Sequence, residues 1–309
     1  MAEAQRIAVV GAGAIGSAFA FHLARAGHEV TVIARGARLA ALQQEVAIVT
    51  TQGERAAIRV EPALPPRDAF DLVIVAVLGW QVDELLATLA ASRARAFLFV
   101  FNAFEGLERI RDAVGQDRFG WAFPAIAAKV IDQRLDVRVV PRALAMLQIT
   151  TLGAMPDFTP TWMDAWRNCF AQSGIPSAMC ADMPSWLATH AAFMAPLMTT
   201  GVCVHTRGVL TAEERRTIVD GWRAAFALVR RRGHAVTPMN MAMFSHLPAW
   251  FLRLLLRIAT RLPQLKYVGA NGPNEARWLF DAMLKGAPDP AIERVRALLE
   301  GSAANRKQR

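Results

Sequence analysis

Cysteine is scarce in this chain of 309 residues, which has only Cys169, Cys180 and Cys203. None of them forms a CxxC pair or stands at metal-ligand spacing from a histidine, so neither a disulfide framework nor a zinc site is expected. We interpret the three thiols as small core residues.

The sequence pattern also lacks an apolar run of membrane-span length and an N-terminal targeting segment. The opening MAEAQRIAVVG leads straight into a predicted strand, with no charged leader followed by an apolar segment. We therefore expect a cytoplasmic protein with no integral membrane segment.

Acidic residues are outnumbered, since 26 Asp and Glu against 35 Lys and Arg give a net charge of +9. The excess suits an anionic ligand, but the arginines are spread along the chain and do not form one stripe interleaved with aromatics, so no nucleic-acid partner is expected.

Hydrophobic residues make up 54% of the chain and charged residues 20%. This composition is typical of a globular protein, and the length suits two domains.

The clearest motif is a glycine-rich turn near the N-terminus. Residues 6–35 have the pattern of a strand, a helix and a second strand, with GxGxxG at the first junction. In that context the first glycine allows a tight turn, the second admits a pyrophosphate and the third lets helix and strand pack closely. Free N–H groups at the helix start favour an anion there. The predicted dinucleotide-binding residues are Gly11, Ala12, Gly13, Ala14, Ile15 and Gly16.

The end of the second strand distinguishes the two nicotinamide dinucleotides. NAD enzymes place Asp or Glu there to bind a ribose hydroxyl, whereas this chain has Arg35, followed by Arg38. A guanidinium binds a 2′-phosphate through charge-assisted hydrogen bonds. The sequence therefore predicts NADP (NADPH) as the cofactor.

Strands and helices continue to alternate after this motif. A hairpin is predicted over 46–60, buried strands over 70–78 and 95–104, and a helix over 81–91. This is the pattern of an α/β, Rossmann-type doubly wound sheet, in which ligands bind at the carboxyl ends of strands.

Leu78 and Asn102 stand at two such strand ends. The amide of Asn102 can donate and accept beside a reacting carbonyl, although a polar turn residue would look the same in the sequence.

Helical periodicity replaces the strand pattern from about residue 158. The clearest helix covers 211–233, where Thr211 and Glu214 form a capping box and Gly233 ends the helix. The predicted divisions are an NADP-binding Rossmann domain over 1–158, an all-helical substrate and dimerisation domain over 159–300, and a mobile basic tail over 301–309.

A second helix, over 247–263, is strongly amphipathic. One stripe holds Arg253, Arg257 and Arg261, and the opposite stripe holds Trp250, Leu254, Leu255 and Ile258. We expect this helix to pack against the other domain or a second subunit of a homodimer, with a membrane surface as the alternative.

Together these features resemble the ketopantoate reductase (2-dehydropantoate 2-reductase) family. The similar segments are GAGAIG (11–16), LGWQVDELL (78–86), FNAFEGLE (101–108) and GWAFPAIAAKV (120–130). The resemblance implies an enzyme that uses NADPH to reduce the ketone of a 2-oxo acid, with a helical domain like that of 6-phosphogluconate dehydrogenase. It also implies that Arg35, Asn102 and Ala125 contact the cofactor. Leu78 is added to these residues because it stands at a strand end near the expected nicotinamide.

The chain departs from the family pattern at the residues that carry out the family's chemistry. Leu78 and Gly79 stand where the family has a lysine before WQ, and Leu187 and Ala188 stand where it has its catalytic lysine. The asparagines that follow that lysine are replaced by Ala191, Ala192 and Ala195. In place of the C-terminal glutamate segment, residues 267–280 offer Asn271, Asn274 and Glu275.

His190 is the one ionisable side chain on the helix that would carry the missing lysine. We expect it to share a face with Trp186, Leu187, Met194 and Leu197. It could donate a proton, bind substrate or only pack. Asn102 and Glu275 complete the catalytic candidates, and Glu275 could instead be the first-turn acid of a helix.

We therefore expect an NADPH-dependent reductase of a small-molecule carbonyl substrate, a 2-oxo acid or a related compound. Two alternatives remain. One is an NADP-binding sensor or scaffold without catalysis, and the other is a different hydride-transfer enzyme, such as an opine-type dehydrogenase.

Overall fold

The computed structural model describes residues 3–139, 149–261, 273–286 and 288–307. The chain divides into two compact units, one formed by 1–101 and 106–183, the other by 102–105 and 184–309. The short segment 102–105 therefore belongs to the second unit, although the residues on both sides of it belong to the first.

The first unit is an α/β structure. Its strands are β1 (Arg6–Val10), β2 (Glu29–Ile33), β3 (Ala47–Val49), β4 (Arg55–Ala57), β5 (Arg59–Glu61), β6 (Leu72–Val75), β7 (Phe97–Phe99), β8 (Phe119–Phe123), β9 (Ile126–Ile131), β10 (Arg134–Val139), β11 (Thr150–Gly153) and β12 (Ser177–Cys180). Its helices are α1 (Ala14–Arg25), α2 (Gly36–Glu45), α3 (Asp83–Ala91), α4 (Leu107–Val114) and α5 (Trp162–Gln172).

Eight of these strands form one sheet in the order β12, β11, β8, β7, β6, β1, β2, β5. Neighbours are parallel except β8 and β11. The strand order reverses between β1 and β6, and in such sheets the crevice at the carboxyl ends of those strands is where ligands bind. The predicted doubly wound sheet is confirmed.

Two antiparallel hairpins accompany the sheet. The hairpin β3–β4 lies within the predicted range 46–60 and turns at Gly53. The second, β9–β10, turns at Asp132 and Gln133, which both have positive φ angles, 47° and 64°. Such a turn suits the twist of a hairpin but usually contains glycine or asparagine.

The boundary predicted at residues 158/159 lies too early. Helix α5 and strand β12 belong to the first unit, and β12 extends the large sheet by pairing parallel with β11. The second unit resumes at Pro184. β12 is only four residues long and is half-buried throughout, so its sequence carries little strand signal.

The second unit is helical in its described parts. Its helices are α6 (Met183–Arg207), α7 (Ala212–Arg231), α8 (Met239–His246), α9 (Ala249–Ala259), α10 (Asn274–Leu284) and α11 (Pro290–Lys307). The capping box of α7 is confirmed, because Thr211 Oγ1 accepts from the amide of Glu214 at 3.1 Å and the Glu214 carboxylate accepts from the amide of Thr211 at 2.8 Å.

Helix α6 is the central apolar helix of this unit. It is long and apolar enough to cross a membrane, whereas the sequence analysis expected no run of that length. However, 78% of its most apolar window is buried within the protein. The core helix of a folded domain has the same composition, so this finding is weak evidence for a membrane span.

One expectation for the second unit is wrong. The tail predicted to be mobile over 301–309 is helical as far as Lys307, and Ser302 is buried with its Oγ 3.2 Å from Cys203 Sγ. In α9 the side chains that are buried are Leu252 and Leu256. The stripe expected to pack against the other domain or a second subunit is exposed in this single chain, and that expectation stays a prediction; its side chains are Trp250, Leu254, Leu255 and Ile258.

Candidate active site

The glycine turn between β1 and α1 is shaped by close backbone contacts. Gly11 has a φ of 102°, and a Cβ there would stand 2.5 Å from the carbonyl oxygen of Ala76, just beyond β6. A Cβ on Gly16 would overlap the carbonyl oxygen of Gly11. Both positions therefore require glycine, which is what tight turning and close helix–strand packing predict.

Gly13 is different, because nothing lies within 4 Å of a Cβ placed there and its φ is an ordinary −68°. It caps α1, whose first turn, from Ala14 through Ile15, contains no acidic residue. The unpaired amides of a helix start and an open approach are what a pyrophosphate needs. The residues present fit a dinucleotide at this turn.

Arg38 of α2 fixes the same turn from the side. Its guanidinium donates to the carbonyl oxygen of Ala12 at 3.2 Å and to Ser17 Oγ at 3.1 Å. A third bond, 2.6 Å long, reaches the carbonyl oxygen of Gln133 in the β9–β10 hairpin. The sequence analysis considered Arg38 only as a basic neighbour of Arg35 and did not identify Ser17 and Gln133 as its hydrogen-bond partners. The one signal in the sequence was the serine that directly follows GxGxxG.

Arg35 is exposed and stands two residues beyond β2, at the start of α2. No carboxylate forms an ion pair with it among the residues that the structure describes. Its guanidinium is therefore available to an anionic ligand.

Leu78 and Ala125 follow β6 and β8. The Leu78 side chain is 43% exposed, and its amide donates to Gln81 Oε1 at 3.1 Å. Ala125 is buried, and its amide donates to Thr150 Oγ1 at 3.1 Å. Ala125 can thus offer a ligand its carbonyl or methyl group but not its N–H.

The structure brings together two of the three catalytic candidates. Asn102 Nδ2 donates to Glu275 Oε1 at 2.6 Å, across 173 residues of sequence, and both residues belong to the second unit. Burial raises the pKa of Glu275, and the Asn102 hydrogen bond only partly offsets it. Asn102 Oδ1 is buried and accepts no hydrogen bond from the described part of the chain. A buried amide oxygen in that state is an acceptor for a ligand's donor group.

The third candidate, His190, lies on α6 with its ring stacked on Trp186, at 5.0 Å between centroids and 7° between planes. The residue as a whole is partly exposed, but its Nε2 atom is buried. Burial lowers the pKa of His190 to about 3. The imidazole is therefore neutral near pH 7. Met194 and Leu197 share its partly exposed face, as expected, but Leu187 does not, since it is buried.

The positions at which the sequence resemblance expects the family's lysine and asparagines are interior. Leu187 and Ala188 are 1% and 0% exposed, and the alanines that follow are fully buried. These are Ala191, Ala192 and Ala195, which with Ala188 belong to the hydrophobic core of the second unit.

The remaining polar candidates add little to this arrangement. Asn271 lies outside the described residues, and Asn274 Oδ1 accepts from the Arg277 guanidinium at 2.9 Å. In the described ranges no group of three or more His, Cys, Asp or Glu residues could hold a metal ion.

A doubly wound sheet with GxGxxG at its switch point, followed by a helical unit, has the architecture of Rossmann-class dinucleotide-binding proteins. Residues 7–131 match the family model of the ketopantoate reductase PanE/ApbA. The family resemblance expected from the sequence is confirmed for that segment.

Solved structures with the same fold cover nearly the whole chain. A 2-dehydropantoate 2-reductase from Geobacter metallireducens has a TM-score of 0.73 at 16% identity, covering 96% of this chain and 99% of that one. A PanE/ApbA family ketopantoate reductase from Ralstonia eutropha has 0.71 at 19%, covering 97% and 99%. D-mandelate dehydrogenase with NADH and anilino(oxo)acetate has 0.70 at 14%, covering 96% and 98%. No curated protein matches the sequence.

Proposed function

We propose that this chain is an NADP-dependent oxidoreductase of the ketopantoate reductase type, which reduces the ketone of a 2-oxo acid or a related carbonyl compound. The observation that carries the proposal is the hydrogen bond between Asn102 and Glu275. It joins an acid with a raised pKa to an amide whose oxygen remains available to a ligand.

The glycine turn and Arg35 supply the cofactor part of the proposal. Gly13 and the first amides of α1 would hold the pyrophosphate, and Arg35 would bind the 2′-phosphate of NADPH. When bound, the nicotinamide supplies a hydride. D-mandelate dehydrogenase, which shares the fold, has been solved with NADH, so the preference for NADPH rests on Arg35.

Glu275 takes the role of proton donor in this proposal. Reduction of a ketone leaves an alkoxide that must gain a proton. Because burial raises its pKa, Glu275 keeps its proton to a higher pH than an exposed carboxyl does. Asn102 Nδ2 holds Oε1, so that Oε2 carries the proton, and Asn102 Oδ1 orients the substrate by accepting from a donor on it.

His190 does not donate the proton in this scheme. With a pKa of about 3, its imidazole is neutral at working pH, and a neutral imidazole is a weak acid. Its stacking on Trp186 suits a wall that contacts the substrate.

The names of the structural relatives favour 2-oxo acids as the substrate class. Two are reductases of 2-dehydropantoate, and the third was solved with anilino(oxo)acetate, which is itself a 2-oxo acid derivative. The apolar side chains at the family's lysine positions favour a compound other than ketopantoate.

NADPH oxidation across a panel of 2-oxo acids, for the wild type and Glu275→Gln, tests the reaction. We expect the variant to lose roughly 100-fold or more in kcat. Wild-type kcat/KM should fall as the pH rises through the raised pKa of Glu275, because only the protonated acid can donate, and the variant should lack that step. Glu293→Gln, at an exposed acid of α11, is the control. A variant with the wild-type pH profile would remove Glu275 from the role.

Thermal shifts with NADPH and NADH test the cofactor separately. We expect NADPH to raise Tm more than NADH, and Arg35→Gln to weaken NADPH binding by roughly tenfold while leaving NADH binding unchanged. The control Arg93→Gln removes an exposed arginine elsewhere in the first unit. Equal shifts by the two dinucleotides would contradict the assignment of Arg35.

A second candidate function is an NADP-binding sensor without catalysis. The buried apolar residues Leu187 and Ala188 at the lysine position favour it. An NADPH-dependent rise in Tm together with no turnover of any panel compound would support the sensor over the reductase.

A further inference from the structure

A small cavity that is open to solvent lies in the second unit and is lined mainly by arginines. It has a volume of about 250 Å³ and lies between the first turns of α7 and the middle of α9. Its lining residues are Ala212, Arg215, Arg216, Arg253, Leu254 and Arg257. Two helices thus contribute two guanidinium groups each.

No carboxylate belongs to the lining, although the first turn of α7 contains two acids, Glu213 and Glu214. Glu213 forms no ion pair within the described ranges, and Glu214 is already engaged. Glu214 forms an ion pair with Arg207 and accepts from the amide of Thr211. Within the described ranges, Arg216, Arg253 and Arg257 form no ion pair, and Arg215 donates to the carbonyl oxygen of Leu210. The positive charge in the cavity is therefore not neutralised by an acidic side chain of the described chain.

Like charges gathered in one concavity repel one another, which costs stability unless an anion is bound there. Guanidinium groups favour phosphate in particular, because their planar donors match pairs of phosphate oxygens. A cavity of this size accommodates one or two phosphate groups. Leu254, 44% exposed, gives it an apolar edge.

We propose that this cavity, which we call the arginine cavity, binds a ligand through one or more phosphate groups. The phosphate can come from a soluble metabolite or from a lipid headgroup. The site is built entirely from α7 and α9 and includes neither the glycine turn nor Asn102 and Glu275, so the proposal does not depend on the reductase function.

Calorimetric titration of the full chain with pyrophosphate tests the proposal. We expect the double variant Arg216→Gln/Arg253→Gln to bind at least tenfold more weakly than the wild type, and Arg93→Gln/Arg294→Gln, which removes two exposed arginines elsewhere, to bind as the wild type does. Any pyrophosphate held by the glycine turn remains in all three proteins, so only the difference between the two double variants is assigned to the arginine cavity.

Thermal melting without phosphate shows whether the double variant folds as stably as the wild type, so that a loss of pyrophosphate binding is not confused with a folding defect. Removing two of four repelling charges should leave Tm of Arg216→Gln/Arg253→Gln no lower than that of the wild type, while the gain in Tm on adding pyrophosphate should shrink. Identical titrations for the two double variants, or no binding by the wild type, would overturn the proposal.

Sedimentation with vesicles separates the two sources of phosphate. A lipid ligand predicts binding to phosphatidylglycerol–phosphatidylcholine vesicles but not to pure phosphatidylcholine, with loss of binding in Arg216→Gln/Arg253→Gln and competition by pyrophosphate. A soluble ligand predicts the pyrophosphate result with no vesicle binding.

Discussion

A neutral histidine stacked on an indole has a measurable effect on stability. Burial lowers the pKa of His190 to about 3, whereas in the unfolded chain it takes up a proton near pH 6.5. Between those values the unfolded state binds one more proton than the folded state. The free energy of unfolding therefore decreases as the pH falls through that window.

His190→Gln should remove this contribution. For the wild type, one proton adds up to about 1.4 kcal/mol per pH unit to the decline between pH 6 and 4. Urea unfolding at pH 6, 5 and 4 measures the slope, which the variant should reduce by that amount whatever its stability at pH 6. The exposed His205→Gln is the control. Equal slopes for the wild type and His190→Gln would show that His190 titrates normally.

At the level of single residues, the sequence indicated which side chains could take part in chemistry but not which of them contact each other. Asn102 and Glu275 were both selected, one at a strand end and the other at a helix start. Their hydrogen bond spans 173 residues, and no local spacing encodes it. The depressed pKa of His190 likewise depends on tertiary burial, which the apolar run around it suggests but does not quantify.

Helix α7 packs closely on α11 at one glycine. A Cβ on Gly221 would overlap the Val295 side chain, whereas nothing lies within 4 Å of a Cβ on Gly301, an exposed glycine of α11. The first glycine allows close packing, and the second only adds backbone freedom to the unfolded chain.

Alanine at these two helical glycines should have opposite effects. Gly221→Ala should lower the free energy of unfolding by about 1–3 kcal/mol through overpacking. Gly301→Ala should raise it by about 0.5–1 kcal/mol through helix propensity. Chemical denaturation of the two variants side by side gives the comparison, and a Gly221→Ala variant as stable as the wild type would contradict the packing described for Gly221.

Elements with a strong repeating pattern were predictable, and the others were not. The unit from β1 to β2 and the capped helix α7 follow simple periodicities. The hairpin β9–β10 was not predicted as a hairpin because its turn uses Asp132 and Gln133 where glycine or asparagine is usual. Helix α9 has apolar side chains on two faces, so its sequence does not show which of them are buried, and only tertiary contacts select Leu252 and Leu256.

On the scale of the whole molecule, the chain passes between the two units three times. It leaves the first unit at Asn102, returns at Gly106 and leaves again after Met183. Composition and periodicity averaged over windows cannot detect a four-residue excursion, so a single boundary was predicted. The excursion matters because it places Asn102 in the same unit as Glu275.

Truncation tests the last part of the fold. Ending the chain after Glu300 removes Ser302, which is 1% exposed and contacts Cys203, so the free energy of unfolding should fall by at least about 1 kcal/mol. Ending it after Ala304 keeps that contact and should change stability by less than about 0.5 kcal/mol. Thermal and urea unfolding of both chains decide the matter; equal stability of the two would mean that the end of α11 contributes nothing.

The bonds of Arg38 have a consequence for how a cofactor is received. One planar guanidinium joins the carbonyl oxygen of Ala12 and the hydroxyl of Ser17 to the β9–β10 hairpin. The turn is thereby preorganised, so a dinucleotide loses little affinity to ordering the loop on arrival. A lysine could not make three such bonds in one plane. Even Arg38→Lys would therefore leave a glycine turn that becomes ordered only when the dinucleotide binds.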